Sequence, residues 1–503
     1  MTKDERNEIS YYKFKEAGFR GTLIAPPRYG KTSYALNIIL RIYNKFKSNL
    51  PSCMIIVRNV AVKQQWEYEK NKLEIEQDIQ LNVLISTISE AMNFRHKDYY
   101  FVVFDEIHRF LTQEGKFLIG KSKFNYTYGL GLTGTAPSDT DALNFLKMNL
   151  PIFDTITRKE AIDNNWILPK VEINILLELS EGDKFEYMRL SKHIDDTLKK
   201  YKNVHKFLEI PFIKDAFSVI RACYSGIRVP NEYLALTQDI TYFKSTVVVN
   251  IVSETMTYYS NLAPNTEEEK EWSVYTVADE CKMFMEFIRL RNDILINNEI
   301  KKETVIEIAK LFKEPTICFN ESIRFAEDLL EEIEEQKIDI KPTIYHGSIE
   351  SRPLINPLTN TFYTYAGGAK KGQPKYFGKK GILKDTIEGL KQGWYNFLIT
   401  VKALDEGINV PNLTIVICTA GTMNPIPYIQ RTERASTVFE KRTPLVFNLV
   451  FNDFYIMVDE NPHLIKNRDL TKLKIRQISA KSSPLWSNVT DLKNIANEYY
   501  NIV

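Results

Sequence analysis

No apolar run in these 503 residues reaches the roughly 18 needed to cross a bilayer. The opening stretch, Met1-Thr2-Lys3-Asp4-Glu5-Arg6, carries both signs of charge with no apolar segment behind it, so a secretory signal is not expected. Cysteine is sparse. Cys53, Cys223, Cys281, Cys318 and Cys418 stand apart without a C-x-x-C pair, which argues against a disulfide framework or a zinc site and for buried thiols in a reducing compartment. The cytoplasm is therefore the expected location. Net charge is small as well, at +2, so affinity for a polyanion must come from a local basic groove. Tandem repeats and low-complexity segments are missing. An apolar fraction of 44% and a charged fraction of 26% describe a globular chain, and its length exceeds what one hydrophobic core fills.

Over the first 170 residues or so, short apolar runs alternate with amphipathic stretches. Strands are expected at Gly21–Ala25, Cys53–Val57, Asn82–Ser86, Phe101–Phe104 and Tyr128–Leu132, with helices at Thr32–Phe46 and Val62–Leu73 between them. The alternation returns with Thr316–Phe319, Thr343–Tyr345, Asn396–Thr400, Thr414–Thr419 and Thr443–Asn448. Strands separated by helices predict parallel sheets covered on both faces. The fold class is thus α/β, two parallel-sheet domains in tandem with a mostly helical stretch between them. A break in composition at Pro353–Gly381, dense in Gly, Tyr and Lys, predicts an exposed loop or hairpin.

Pro27-Arg28-Tyr29-Gly30-Lys31-Thr32-Ser33 follows an apolar strand and opens a helix, with the spacing of a phosphate-binding loop and Ala25 where its first glycine would stand. That chemistry needs helix N-terminal amides around the phosphates, a lysine on the β/γ-phosphates and a hydroxyl on Mg²⁺. Lys31 and Thr32 supply the last two. Asp105-Glu106-Ile107-His108 closes another apolar run. Asp105 is expected to hold Mg²⁺ together with Thr32, and Glu106 to deprotonate the attacking water. The residues therefore point to a nucleoside triphosphatase with ATP and Mg²⁺ as cofactors.

The chain resembles superfamily 2 helicases and translocases of the DExD/H-box kind, through most of their ordered motifs. The loop at Lys31 is similar to motif I and Asp105-Glu106-Ile107-His108 to motif II. Val57-Arg58-Asn59, followed by Val62-Lys63-Gln64-Gln65-Trp66, looks like motif Ia, and Gly131-Leu132-Thr133-Gly134-Thr135 resembles motif III. Further on, Phe319-Asn320-Glu321-Ser322 resembles motif IV and Tyr345-His346-Gly347 the strand end that follows it. Thr400-Val401-Lys402-Ala403-Leu404-Asp405-Glu406-Gly407-Ile408-Asn409 is close to motif V, and Gln430-Arg431-Thr432-Glu433-Arg434 to motif VI. The affinity is with phage recombination-repair and restriction-type, Res-subunit-like helicases.

The resemblance implies two RecA-like domains, at 1–175 and 301–460, with an accessory region at 176–300, a basic–aromatic insertion at 353–381 and a C-terminal tail at 461–503. It implies catalytic roles for Gln430 and Arg434, the latter as an arginine finger, and nucleotide contacts from Gly407, Asn409 and Arg431. Nucleic-acid contacts are implied for Arg58, Thr87, Asn320, His346, Gly347 and Thr400, and coupling roles for His108, Thr133 and Thr135. Trp66 is read either as packing or as a base contact. Departures are Ala25, Glu433 for the glycine of motif VI, Thr437 for a second finger, and Asn409 for aspartate. The adenine-reading glutamine is absent, Asn7 being the nearest candidate. The implied function is ATP-dependent movement on nucleic acid, DNA before RNA; the alternatives are an RNA helicase or an ATP-driven switch or remodeller that does not unwind.

Overall fold

A computed structural model describes residues 1–46, 50–93, 98–111, 113–120, 125–135, 137, 139–205, 215–225, 227–228, 241–242, 244–262, 272–356, 359, 361–366, 370–401, 413–420, 428, 431–432, 443–458, 461–480 and 483–500. The chain divides into two compact units: Met1–Leu176 with Lys302–Val450 and Thr471–Val503, and Leu177–Lys301 with Phe451–Leu470.

The first unit holds two sheets. One contains β1 (Arg20–Ile24), β2 (Cys53–Val57), β3 (Val83–Thr87), β4 (Asp98–Asp105), β5 (Asn125–Thr133) and β6 (Ile152–Thr155) in the order β3-β2-β4-β5-β1-β6. Every neighbouring pair is parallel. Such a sheet is buried on both faces, which is why its strands read as unbroken apolar runs; all five residues of β2 are buried. Alternate residues Leu23, Ile55, Val103 and Leu132 pack against Phe14 of α1 (Lys3–Glu16), Ile38 of α2 (Lys31–Phe46) and Trp66 of α3 (Val60–Gln77). Their neighbours Met54, Ile56, Val102 and Phe104 face Ile107, Phe110 and Leu146 on the other side. Each such side chain contributes about 1.5–3 kcal/mol on burial. Asn59 accepts a hydrogen bond from the Val62 amide at 3.0 Å and so starts α3 two residues after β2 ends.

Helix α1 was not expected from the sequence. It buries Arg6, Ser10 and Phe14, two of them polar, so no apolar stripe advertises it. A capping box between Thr2 and Glu5 fixes its start.

The second sheet runs Pro342–His346, Phe397–Val401, Thr316–Asn320, Ile415–Cys418, Leu445–Phe451, β7 (Val171–Leu177) and Leu485–Asn488. Strand β7 carries the chain out of the first lobe and directly into this sheet, so a seam at residue 175 falls inside a strand. Of the residues expected as a C-terminal tail, those up to Leu470 fall in the second unit, and from Thr471 onward they belong to the first, where Leu485–Asn488 is a strand of the sheet. The insertion is folded: Arg352–Pro353 pairs antiparallel with Tyr376–Phe377, and Ile355–Asn356 with Thr361–Phe362.

The other unit is mainly helical, as expected for the middle region. Helices Glu181–His205, Ala216–Ser225, Lys244–Leu262 and Val274–Ile296 enclose Tyr201, Cys223, Trp272 and Cys281. Within it His193 stacks on Phe287 at 5.1 Å, and Lys200 pairs with Glu280 at 3.1 Å. Lys301, fully buried, pairs with Asp469 at 2.8 Å. All five cysteines of the chain are buried thiols. No described helix is long and apolar enough to cross a membrane.

Candidate functional site

The first sheet delivers its chemistry at the carboxyl ends of its strands, where open α/β sheets bind ligands. Beyond β1, the Ala25 amide donates to the Thr133 carbonyl at 3.0 Å and the Tyr29 amide to the Pro26 carbonyl at 3.2 Å. Arg28 and Gly30 then take left-handed backbone angles, φ 68° and 99°. Glycine suits the second position because a side chain at φ 99° is strained whatever the space around it. Helix α2 begins immediately, which leaves the first-turn amides of Lys31, Thr32 and Ser33 without helical carbonyl partners and available to an anion. Tyr29, expected at the nucleotide, is instead a loop anchor. It is fully buried, its hydroxyl donates to Asn7 Oδ1 at 2.8 Å, and its ring lies edge-on to Trp166. Pro27 and Arg28 are half-buried at the turn.

Asp105 ends β4, and Glu106 turns the chain with φ 52°. The Lys31 ammonium donates to the Ala25 carbonyl at 3.2 Å and lies 3.8 Å from Glu106 Oε1. On the other side of that carboxylate, His108 Nδ1 is 3.4 Å from Oε2 and 3.0 Å from Thr133 Oγ1. Thr133 in turn donates to the Thr135 carbonyl at 2.9 Å. With its one proton used there, Thr133 accepts from His108, which fixes the Nδ1–H tautomer. Burial lowers the His108 pKa against the pull of Glu106, with Lys31 and Arg58 adding to the lowering, so the ring is neutral near pH 7. Gly134 closes the motif onto the loop: a Cβ there would touch Pro27 at 3.4 Å and Lys31 Nζ at 3.7 Å.

Trp66 resolves in favour of packing, with an addition. It is 1% exposed, and its indole N–H donates to Asp105 Oδ2 at 2.8 Å. Burial, then the Glu106 charge, push the Asp105 carboxyl up to about 6, against Trp66 and Lys31. The Lys31 ammonium pairs with Glu106, and among the described residues Glu106 Oε2 has no hydrogen-bond donor. A site short of positive charge in this way suits Mg²⁺, which Asp105 and the Thr32 hydroxyl would hold.

The residues expected at a nucleic-acid strand occupy the same edges. Arg58 and Gly347 are exposed. Thr87 is buried and caps the short helix Ile88–Ala91. In the second sheet, Asn320 and His346 both sit opposite Val401, and Thr400 lies one residue back. All three are buried. Asn320 Oδ1 accepts from Thr419 at 2.7 Å, and His346 Nε2 lies 3.5 Å from Glu327. In this conformation the side chains of Thr87, Asn320, His346 and Thr400 are buried. Arg431, expected at the nucleotide, is also buried; it donates to the Ala420 carbonyl at 3.4 Å and lies over the Phe319 ring. Gly407, Asn409, Gln430 and Arg434 lie outside the described residues.

Sequence reasoning missed what holds the start of motif VI. Lys170 Nζ donates to Thr432 Oγ1 at 2.5 Å and pairs with Glu172 at 2.9 Å; Glu172 accepts from the Tyr428 hydroxyl at 2.8 Å. These partners are hundreds of residues apart, and no local pattern announces them.

A phosphate loop, an acidic strand end and a second parallel sheet define a P-loop nucleoside triphosphatase with two RecA-like lobes. The family described as type III restriction enzyme, res subunit, matches residues 6–138, and the helicase conserved C-terminal domain matches residues 379–437. Both matched segments are of the superfamily 2 DExD/H helicase kind, the first of the Res-subunit type. The chain is similar to the ATP-dependent DNA helicase MPH1 of Scheffersomyces stipitis, 25% identical over 145 residues that make up 26% of this chain and 14% of that one. MPH1 of Debaryomyces hansenii is 22% identical over 208 residues, 35% of this chain and 18% of that one. The matched region thus spans less than a fifth of either relative. Among solved structures, Saccharomyces cerevisiae Dbp5 bound to RNA and ADP BeF3 shares the fold, with a TM-score of 0.51 at 12% identity over 96% of this chain and 89% of that one.

Proposed function

We propose that the chain hydrolyses ATP in response to nucleic acid and uses the cycle to move along DNA. One observation carries this reading: the run of close contacts Lys31, Glu106, His108, Thr133 and Thr135, in which His108 lies 3.4 Å from the hydrolytic carboxylate and is hydrogen-bonded to the strand-end segment of motif III. The α2 amides and Lys31 hold the β- and γ-phosphates. Glu106, placed by its left-handed turn, takes the proton of the attacking water. Bound Mg²⁺ supplies charge neutralisation on the phosphate oxygens, and Trp66 keeps Asp105 oriented toward that position. When the γ-phosphate leaves, the Glu106 environment changes and His108 passes the change to Thr133. Arg434, by the family resemblance, completes the site from the second lobe as a finger. The MPH1 relatives are named as DNA helicases, which supports DNA as the track.

The test is ATP turnover with single- and double-stranded DNA and RNA, for the parent chain, Lys31→Ala and Glu106→Gln. Both variants are expected to lose stimulated turnover by at least about 10²-fold while keeping the parent melting point. Retained turnover in both would sink the site. Stimulation by RNA alone would replace DNA as the track, and stimulated turnover without unwinding of either duplex would leave a remodeller.

A further inference from the structure

We propose that the folded insertion at residues 352–377 is a stacking platform for one unpaired nucleic-acid strand, with its lysines on the phosphates. The inference rests on the nucleic-acid reading above and adds a site to it.

Cross-strand partners in an antiparallel ladder lie on one face, and so do residues two apart on a strand. The register pairs Pro353 with Tyr376 and Ile355 with Phe362, which places all four on one side. Leu354, Tyr363 and Phe377 fall on the other side, where they pack into the core of the second lobe; the Tyr363 and Phe377 rings meet edge-on at 5.6 Å. An antiparallel sheet with one face on a core shows polar residues on its other face. This one shows Ile355, Phe362 and Tyr376, at 48%, 47% and 60% exposure. Large rings held in the open on an ordered ladder are arranged to meet something flat and apolar.

Charge identifies what that is. The chain as a whole is balanced, with 66 basic and 64 acidic residues, yet from Ser351 to Lys384 there is no Asp or Glu against seven Lys or Arg. Lys370, Lys371, Lys375 and Lys379 are exposed on the same insertion, Lys375 at its edge over the Phe377 ring at 5.2 Å. Rings beside lysines with no acid among them suit bases that stack while phosphates are neutralised. Duplex DNA would use the lysines alone, because its base faces are already stacked. The ladder also starts from the right place. It leaves the sheet just after His346, at the carboxyl edge that holds Asn320 and Thr400.

The experiment measures binding of the full chain to a fluorescent oligo-dT, a blunt duplex and poly-glutamate across a salt series. Its variants are Phe362→Ala/Tyr376→Ala, the bulk-keeping Phe362→Leu/Tyr376→Leu, and Lys370→Ala/Lys371→Ala/Lys375→Ala. Both ring variants are expected to weaken oligo-dT binding about 5- to 150-fold per ring while leaving duplex affinity and the salt slope unchanged. The lysine variant is expected to flatten the salt slope by about two. Oligo-dT affinity within about twofold of the parent in both ring variants overturns the platform, while DNA-stimulated turnover in the parent leaves the broader reading standing. Equal losses on duplex overturn the unpaired strand. Ring-dependent binding of poly-glutamate but not oligo-dT overturns the proposal in favour of an acidic protein. A parent chain that binds no nucleic acid overturns both readings together.

Discussion

Asp154→Asn is expected to weaken the first lobe and its phosphate loop together. Asp154 lies on β6, 6% exposed, and receives Arg6 Nη1 at 2.6 Å, Ser10 Oγ at 2.7 Å and Lys13 Nζ at 2.7 Å. The substitution leaves the Arg6 guanidinium, itself 5% exposed, with Glu160 as its remaining carboxylate. Removing one member of a buried pair costs about 3–5 kcal/mol. The exposed Lys13 contact adds little. The pKa of the carboxyl gives a second figure for the same contacts. Burial alone would raise the Asp154 carboxyl, but hydrogen bonds from Arg6, Lys13 and Ser10 outweigh it and hold the group at about 2 rather than 3.8. A depression of that size is worth about 2 kcal/mol at neutral pH. Because the folded pKa is the lower one, this stabilisation is present above about pH 4 and fades as pH falls toward 2. A loss of about 2–5 kcal/mol corresponds to a drop of roughly 5–15 °C in the melting of a lobe this size. Hydrogen exchange would show amides of Lys3–Glu16 losing protection, and ATP affinity would fall as Asn7 releases Tyr29. The gap between variant and parent should narrow as pH falls from about 4 toward 2. A melting point within about a degree of the parent, with α1 exchange unchanged, would refute the reasoning.

Trp66→Phe removes the donor to Asp105 and is expected to raise the Mg²⁺ concentration for half-maximal ATP turnover about 10- to 100-fold; an unchanged Mg²⁺ titration would show that Asp105 needs no such support. Thr133→Val keeps the shape but breaks the His108 link. Strand displacement per ATP consumed should fall about 2- to 30-fold with ATP KM unchanged, and an unaltered ratio would remove Thr133 from the coupling path. Asp469→Asn removes the carboxylate paired with the fully buried Lys301 ammonium and should cost the helical unit about 3–5 kcal/mol in urea unfolding; a parent-like midpoint would mean that the other contacts of Lys301, such as the Phe451 ring, hold it as well.

How much of this was legible depends on whether the cause was local. Lys31, Thr32 and Asp105 were readable because loop, strand and helix chemistry repeats at fixed short spacing around them. The strands of both sheets were readable for the same reason, since burial on both faces leaves unbroken apolar runs. Helix α1 was not, because its inward face is built around Arg6 and Ser10, whose burial makes sense only once Asp154 is folded beside them. Trp66 gave itself away as apolar but not as a donor, because its carboxylate partner comes from β4, 39 residues further along the chain. The burial of Asn320, Thr400 and Arg431 depends on neighbours such as Thr419 and Phe319 that only the folded second lobe supplies. The insertion read correctly as basic and aromatic, while the division of its residues between two faces needed the strand register.

The Lys301–Asp469 pair spans 168 residues of chain. At about 5–20 residues per second, a ribosome takes roughly ten to thirty seconds to make that stretch. For that interval the helical unit lacks the segment Phe451–Leu470 that completes it, and β7 lacks both of its sheet neighbours, Leu445–Phe451 and Leu485–Asn488. The first sheet needs nothing beyond Thr155 and can form while synthesis continues. Birth of the protein is thus staged: a finished ATP-binding lobe comes first, trailing an open strand and a half-built helical unit that only the last third of translation can close.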